Sequence, residues 1–181
     1  MAILMDHLIS WMIAVPIIGI VILGFMRDEE SIRRVAFGIT IVEFFLSLTL
    51  WRGFDLTLQS MQFVERMEWM PTFNIQYAVG VDGISILLVI LTALLCPLCI
   101  LCSWTGITTR VRAYLSLILL VESAMIVVFT ALDLFLFFML WELTMIPMYF
   151  MIILWGGPNR IAAGLKFLLY SLTGSLLLLV G

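Results

Sequence analysis

Six apolar segments recur along the chain, at Leu8–Met26, Val35–Trp51, Ile84–Trp104, Ala113–Leu132, Leu134–Trp155 and Ile161–Gly181. Each is close to the roughly 20 residues that a helix rising 1.5 Å per residue needs to cross a hydrocarbon core of about 30 Å. A bilayer core offers no water to backbone N–H and C=O groups, so each segment must close its hydrogen bonds within itself as a helix. The expected fold is therefore an all-α integral membrane protein with six transmembrane helices. The second segment is the weakest, being the shortest and interrupted by Glu43. With 64% hydrophobic and 12% charged residues, against roughly 25% charge in a soluble domain, a water-soluble globule is excluded. The nine basic residues form no run and no basic–aromatic interleaving, which removes nucleic acid as a partner.

The first basic residue, Arg27, follows the first apolar segment instead of preceding it. The charged n-region of a cleavable signal is missing, and Met1–Met26 is expected to be a retained spanning helix. Cys96, Cys99 and Cys102 form C-P-L-C-I-L-C, a spacing that evokes iron–sulfur ligation. The fourth ligand is absent and the triplet lies inside an apolar helix, where cysteine behaves as a small hydrophobe. No haem, flavin, nucleotide or metal constellation is found in the sequence, and His7, the single histidine, is given no role.

Short polar turns at Arg27–Arg34, Thr105–Arg112 and Gly156–Arg160 separate the segments, and little beyond Asp133 joins the fourth to the fifth, as in an antiparallel hairpin. Residues 52–81 form the one sizeable loop. Its Trp69, Phe73 and Tyr77 suit a headgroup layer, and it is expected to hold a short interfacial helix followed by extended chain, with Asp82 as N-cap of the third helix. Arg27, Arg33, Arg34, Arg110, Arg112 and Arg160 all fall in the loops after the odd-numbered segments. The positive-inside rule puts those loops on the cytoplasmic side and the 52–81 loop outside.

Four ionisable residues lie within the segments: Glu43, Glu122, Glu142 and Lys166. A carboxylate near the middle of a span costs a few kcal/mol and generally faces a bundle interior, a water pocket or a partner charge. Glu142 is thus a functional-site candidate, the alternative being a hydrogen-bonded acid that ties helices together. Counted from the cytoplasmic ends, Glu122 lies roughly 17 Å and Glu142 roughly 20 Å deep, so the two acids would meet if both faced the seam of the hairpin. Two close carboxylates in low dielectric resist joint ionisation, a property suited to a proton relay; for Glu122 a neutral acid bonded to Ser123 or to nearby backbone is the competing reading. Lys166, roughly 8 Å inside its helix, is a candidate charge partner or a snorkelling cation. Glu43 is expected to face an interface or partner. Pro147, five residues beyond Glu142, removes the N–H that would bond the Leu143 carbonyl and opens a possible water entry.

The run D-L-F-L-F-F-M-L-W-E-L-T-M-I-P-M-Y-F with the following I-I-L-W-G-G-P-N-R-I-A-A-G-L-K-F-L-L-Y-S-L-T-G-S resembles the antiporter-like subunits of respiratory complex I, nearest to subunit M, the mitochondrial chain 4. Val79–Trp104 resembles the third helix of the same subunits. The resemblance implies the N-terminal part of a fourteen-helix protein: 1–112 as three peripheral helices with the 52–81 external loop, and 113–181 as helices four to six, the start of the first inverted repeat. It implies a membrane-arm subunit of a proton-translocating NADH:quinone oxidoreductase, in a bacterial inner membrane ahead of a mitochondrial one, with other membrane-arm subunits as partners. No cofactor is expected on this chain; FMN, iron–sulfur clusters and quinone would belong to other subunits. Glu142 falls at the position of an acid that pairs with a lysine on helix seven, which replaces Glu122 as its main partner, and Glu122 matches a helix-four acid. A subunit of a multisubunit cation/proton antiporter or membrane-bound hydrogenase, and a purely structural membrane subunit, are the alternatives.

Overall fold

Residues 7–58, 60–70 and 75–180 are described by a computed structural model; residues 1–6, Phe73 and Gly181 of the segments above lie outside them. Six helices follow the apolar segments: α1 (Leu8–Phe25), α2 (Glu29–Gly53), α3 (Ser85–Ser103), α4 (Val111–Thr130), α5 (Leu134–Trp155) and α6 (Arg160–Val180). All six are long and apolar enough to cross a membrane. The segment expected to be weakest forms the longest of them, at 25 residues. Its N-terminal extension lies within the expected polar turn Arg27–Arg34. Asp28 caps the helix by accepting from the Ser31 N–H at 2.8 Å, and Glu29 and Glu30 complement the positive end of the helix dipole. Arg33, one turn in, turns inward and donates to the Trp104 and Ile107 carbonyls at 2.6 and 2.5 Å. That arginine satisfies carbonyls that the end of α3 leaves open.

α4 is the hub, touching α1, α2, α3 and α5, while α6 packs chiefly on α5 among the described residues and is the least buried. Close approach of α1 to its neighbours depends on Gly19, where a Cβ would stand 2.7 Å from Ile39 Cδ1 and 3.2 Å from Leu119 Cδ1. The core divides into two apolar clusters at different depths. One, around Leu23, Ile32, Ala36, Ile100, Leu115 and Leu119, lies toward the basic loops. The other, around Leu8, Met12, Leu50, Val79, Ile86 and Ile126, lies toward the opposite side.

The 52–81 region departs from expectation. In place of an interfacial helix it forms an antiparallel hairpin of β1 (Gln62–Met70) and β2 (Ile75–Val81), with irregularities between Gln62 and Glu65 and between Glu68 and Met70. Phe63 takes the first irregularity at φ 53°, and its ring lies over Gly53, where a Cβ would stand 2.9 Å from Cζ. The expected extended chain is β2. Alternation in β1 runs against the soluble pattern: Val64, Met67 and Trp69 are exposed while Glu65 is buried, so the sequence carries no outward strand signal.

Glu65 explains that inversion. Its Oε1 accepts from the Ile9 and Ser10 N–H groups at 3.0 and 3.2 Å, its Oε2 accepts from Ser10 Oγ, and His7 Nδ1 lies 3.5 Å from Oε2. A side chain 56 residues away thus caps α1, a task local residues usually perform, and His7 has a place in it. Ser10 gives its one proton to Glu65, so Tyr77 donates to Ser10 across 2.8 Å. Partial burial, with a smaller contribution from Glu65, pushes the Tyr77 phenol above its ordinary value. The hairpin also joins the start of α5 through Leu132 N–H to the Ala78 carbonyl at 2.8 Å. Asp82 caps the next helix as expected, its Oδ1 accepting from Ile84 and Ser85 N–H at 3.0 and 2.6 Å. The Ser85 amide holds that carboxyl below the usual range, so the cap contributes above the ordinary aspartate range and is lost as pH falls through the lowered value. Glu65→Ala is expected to destabilise the protein by about 1–3 kcal/mol, leaving two amides without their acceptor, and a fall in the midpoint of thermal unfolding in detergent measures it.

Candidate functional site

Glu142 projects from the middle of α5 into a cleft between α5 and α6 with a volume of about 460 Å³. Its walls are otherwise apolar, including Met139, Ile146, Leu168 and Leu172. The Glu142 carboxylate, half-buried, accepts from Ser175 Oγ on α6, whose single proton is shared with the Leu172 carbonyl at 3.1 Å. Both residues lie at one depth, roughly 20 Å from the basic end by residue count. One neutral hydroxyl orients the acid and leaves it uncompensated, since no cation pairs with it among the described residues.

Pro147 is buried in the same helix, and α5 continues through it without interruption. The Leu143 carbonyl, one residue past Glu142, is the one whose helical donor proline lacks. Gly164 sets the separation of the two helices near their basic ends: a Cβ there would lie 2.5 Å from Ile153 Cγ2 and 3.3 Å from Tyr149 Cε2. Trp155 Nε1 donates to the Thr109 carbonyl at 2.8 Å and its ring meets Tyr114 edge-on at 5.2 Å, fixing this end of α5 to α4.

The other expected site residues fall elsewhere. Glu122 shares the depth of Glu142 but not its face. It is fully buried on the side of α4 that meets α2 and α3, with Cys96 beside it. The expected approach of Glu122 to Glu142 across the hairpin seam is therefore not found: the two acids leave α4 and α5 in different directions. Ser123 is no partner for Glu122 either, since its hydroxyl donates to the Ile13 carbonyl on α1 at 2.9 Å. Lys166 is exposed on α6 and forms no ion pair among the described residues. It stands nine residues from Ser175, roughly 13 Å along the axis, too far to serve Glu142.

Glu43, expected at an interface, is fully buried and faces Glu122 closely enough to interact electrostatically. Its burial follows from the phase of α2, whose inward residues Ala36, Thr40, Glu43, Ser47 and Leu50 recur every three or four positions. That spacing was the available signal for Glu43. Of the cysteines, Cys99 and Cys102 are exposed on the lipid-facing side of α3, and Cys96 turns inward to Glu122.

A polytopic helical bundle with carboxylates at mid-depth defines a multi-pass membrane protein equipped with ionisable groups where lipid would exclude them. Residues 11–128 match the family described as NADH-ubiquinone oxidoreductase chain 4, amino terminus. Residues 131–181 match the family described as NADH:quinone oxidoreductase/Mrp antiporter, TM. The chain belongs to the NADH-ubiquinone oxidoreductase chain 4 family. It is 40% identical to NADH-ubiquinone oxidoreductase chain 4 of Arabidopsis thaliana, over 95% of this chain and 35% of that protein. It is 41% identical to NADH-quinone oxidoreductase subunit M of Rhodobacter capsulatus, over 97% of this chain and 35% of that one. The fold is similar to a chain of respiratory complex I from Thermus thermophilus, with TM-score 0.80 and 27% identity over 95% of this chain and 34% of that chain. A chain of the Mrp complex from Dietzia shares the fold alone, with TM-score 0.77 and 19% identity, covering 97% of this chain and 18% of that chain. The chain spans about a third of the length of the curated relatives it matches. Gly164→Val is expected to cost about 1–3 kcal/mol by overpacking the α5–α6 contact; a lowered thermal midpoint in detergent checks it.

Proposed function

We propose that this chain forms the N-terminal third of a membrane-arm subunit M of a proton-translocating NADH:quinone oxidoreductase, with Glu142 as a proton-relay acid. The observation that carries the reading is the geometry of Glu142: a mid-membrane carboxylate held by one hydroxyl on the wall of a cleft, with no cation spent on it among the described residues. An acid kept for structure is ordinarily paired or fully hydrogen-bonded. One left under-satisfied beside a cleft answers to a charge that comes and goes.

In this reading the cleft admits the cationic partner implied by the family resemblance, a lysine on a later helix. Charge on that lysine favours ionised Glu142, and its removal favours the protonated acid, so the pair passes a proton by alternating between two electrostatic states. Ser175 keeps the carboxyl directed along the cleft, and the carbonyl freed by Pro147 supplies an acceptor for water one residue away. Oxidation of NADH and reduction of quinone would proceed on other subunits carrying FMN and iron–sulfur clusters. The neighbouring partners would be further antiporter-like subunits in a bacterial inner membrane. A second reading rests on similarity to the F(420)H(2) dehydrogenase subunit M of Methanosarcina mazei, 36% identical over 95% of this chain. It would retain the relay and exchange the electron donor.

Glu142→Gln in the full-length subunit keeps shape and hydrogen bonding but not the exchangeable charge. NADH-driven proton pumping by assembled membranes is expected to fall by roughly tenfold or more, as for loss of a proton-transfer group, with assembly verified on native gels. Unchanged pumping in the assembled variant rejects the relay, and sodium-dependent proton movement without NADH oxidation favours an antiporter.

A further inference from the structure

Between the two apolar clusters lies a polar layer that the proposed relay does not use. α2 brings Thr40, Glu43 and Ser47 to it, all fully buried. α4 brings Glu122 and Ser123, and α3 brings Cys96. All four carboxylate oxygens of Glu43 and Glu122 are sealed from solvent without a hydrogen-bond partner that meets normal geometry.

We propose that Glu43 and Glu122 form a proton-binding dyad, a site separate from Glu142 that holds and exchanges a proton within this layer. No counter-charge reaches the pair among the described residues. α1 carries no titratable group along Leu8–Phe25. On α2 the one buried base, Arg33, is committed to the Trp104 and Ile107 carbonyls, and Arg34 and Arg52 are exposed near the helix ends. From α3 the facing group is the Cys96 thiol, and the acid of α5, Glu142, is turned toward α6. Two anions confined there would each lose their hydration and would repel one another as well. A bound proton relieves both costs. A metal ion is the poorer occupant, as no group of three His, Cys, Asp or Glu is arranged for one among the described residues.

The polar layer extends along α2. Thr40 and Ser47 stand about one turn to either side of Glu43, and their hydroxyls donate to the Phe37 and Phe44 carbonyls at 2.9 and 2.7 Å. Each hydroxyl oxygen keeps lone pairs free to accept. The stripe lengthens the polar layer by about one turn to either side of Glu43, between the buried Ala36 and Leu50.

Infrared spectroscopy of the full-length protein in its assembled membrane complex tests the dyad. A protonated carboxyl gives a carbonyl band distinct from that of a carboxylate. The expected result is an acid band that shifts in D2O, fades as pH is raised from mildly acidic to alkaline, and is lost or displaced in Glu43→Gln and in Glu122→Gln. Each substitution also moves the titration midpoint of the remaining carboxyl by about one pH unit, a tenfold change in proton affinity, because a coupled pair titrates as a unit. Glu43→Asp and Glu122→Asp, which keep a carboxyl and displace the band, decide the matter if the Gln variants do not assemble. An acid band untouched by all four substitutions overturns the dyad, and so does one that ignores both D2O and pH, which would mark permanently neutral packing groups. The readout is independent of the relay at Glu142, whose loss is scored by pumping.

Discussion

A polar group taken into hydrocarbon must be met by another polar group, and that single requirement arranges this molecule. The helices answer it for the backbone, leaving the ends and the few buried side chains. At one end Arg33 closes the carbonyls after α3. At the other, Glu65 closes the amides that begin α1. These contacts join segments more than fifty residues apart in sequence, so they fix which helix lies beside which, a task that nonspecific apolar contact in a lipid environment does poorly.

α4 owes its central place to the same logic. Its two faces present different chemistry: Glu122 and Ser123 turn toward α1, α2 and α3, while the α5 contact is aromatic and aliphatic at its basic end. The acids at mid-depth consequently occupy unlike surroundings. Glu142 opens on a cleft and is oriented by one hydroxyl. Glu43 and Glu122 are sealed between two dry clusters. Equal depth, the coordinate most easily counted from a sequence, does not translate into proximity, because rotation of each helix about its axis decides which neighbour an acid meets.

Length and hydropathy made the six helices legible, since a run of apolar residues in lipid has almost no other solution. Their limits are legible only where a cap is visible: Asp82 is expected as a cap and serves as one, whereas Asp133, expected only as a hairpin junction, caps α5 by accepting from the Leu136 N–H, and Asp28 falls in the expected polar turn, which cuts α2 short. The hairpin is hidden because the buried member of β1, Glu65, is charged and apolar Val64, Met67 and Trp69 stand exposed beside Arg66 and Glu68, so the strand lacks the alternation that marks one in water. Glu43 was misplaced for a related reason. On a short span interrupted by an acid, an interface or partner is the expected surrounding, although Thr40, Glu43 and Ser47 trace one face of the helix. The Ser175 contact of Glu142 required knowing that Gly164 lets α6 lie close along α5, which spacing alone does not give.

The Glu65 cap carries a consequence for how the chain is made. A ribosome delivers α1 to the membrane before residue 65 exists, so the first helix must enter with its leading amides open to water or lipid headgroups. They acquire their acceptor only after α2 has crossed and the hairpin has emerged on the far side. The first span is thus completed retroactively, and a translocation machinery that released α1 early would release it unfinished.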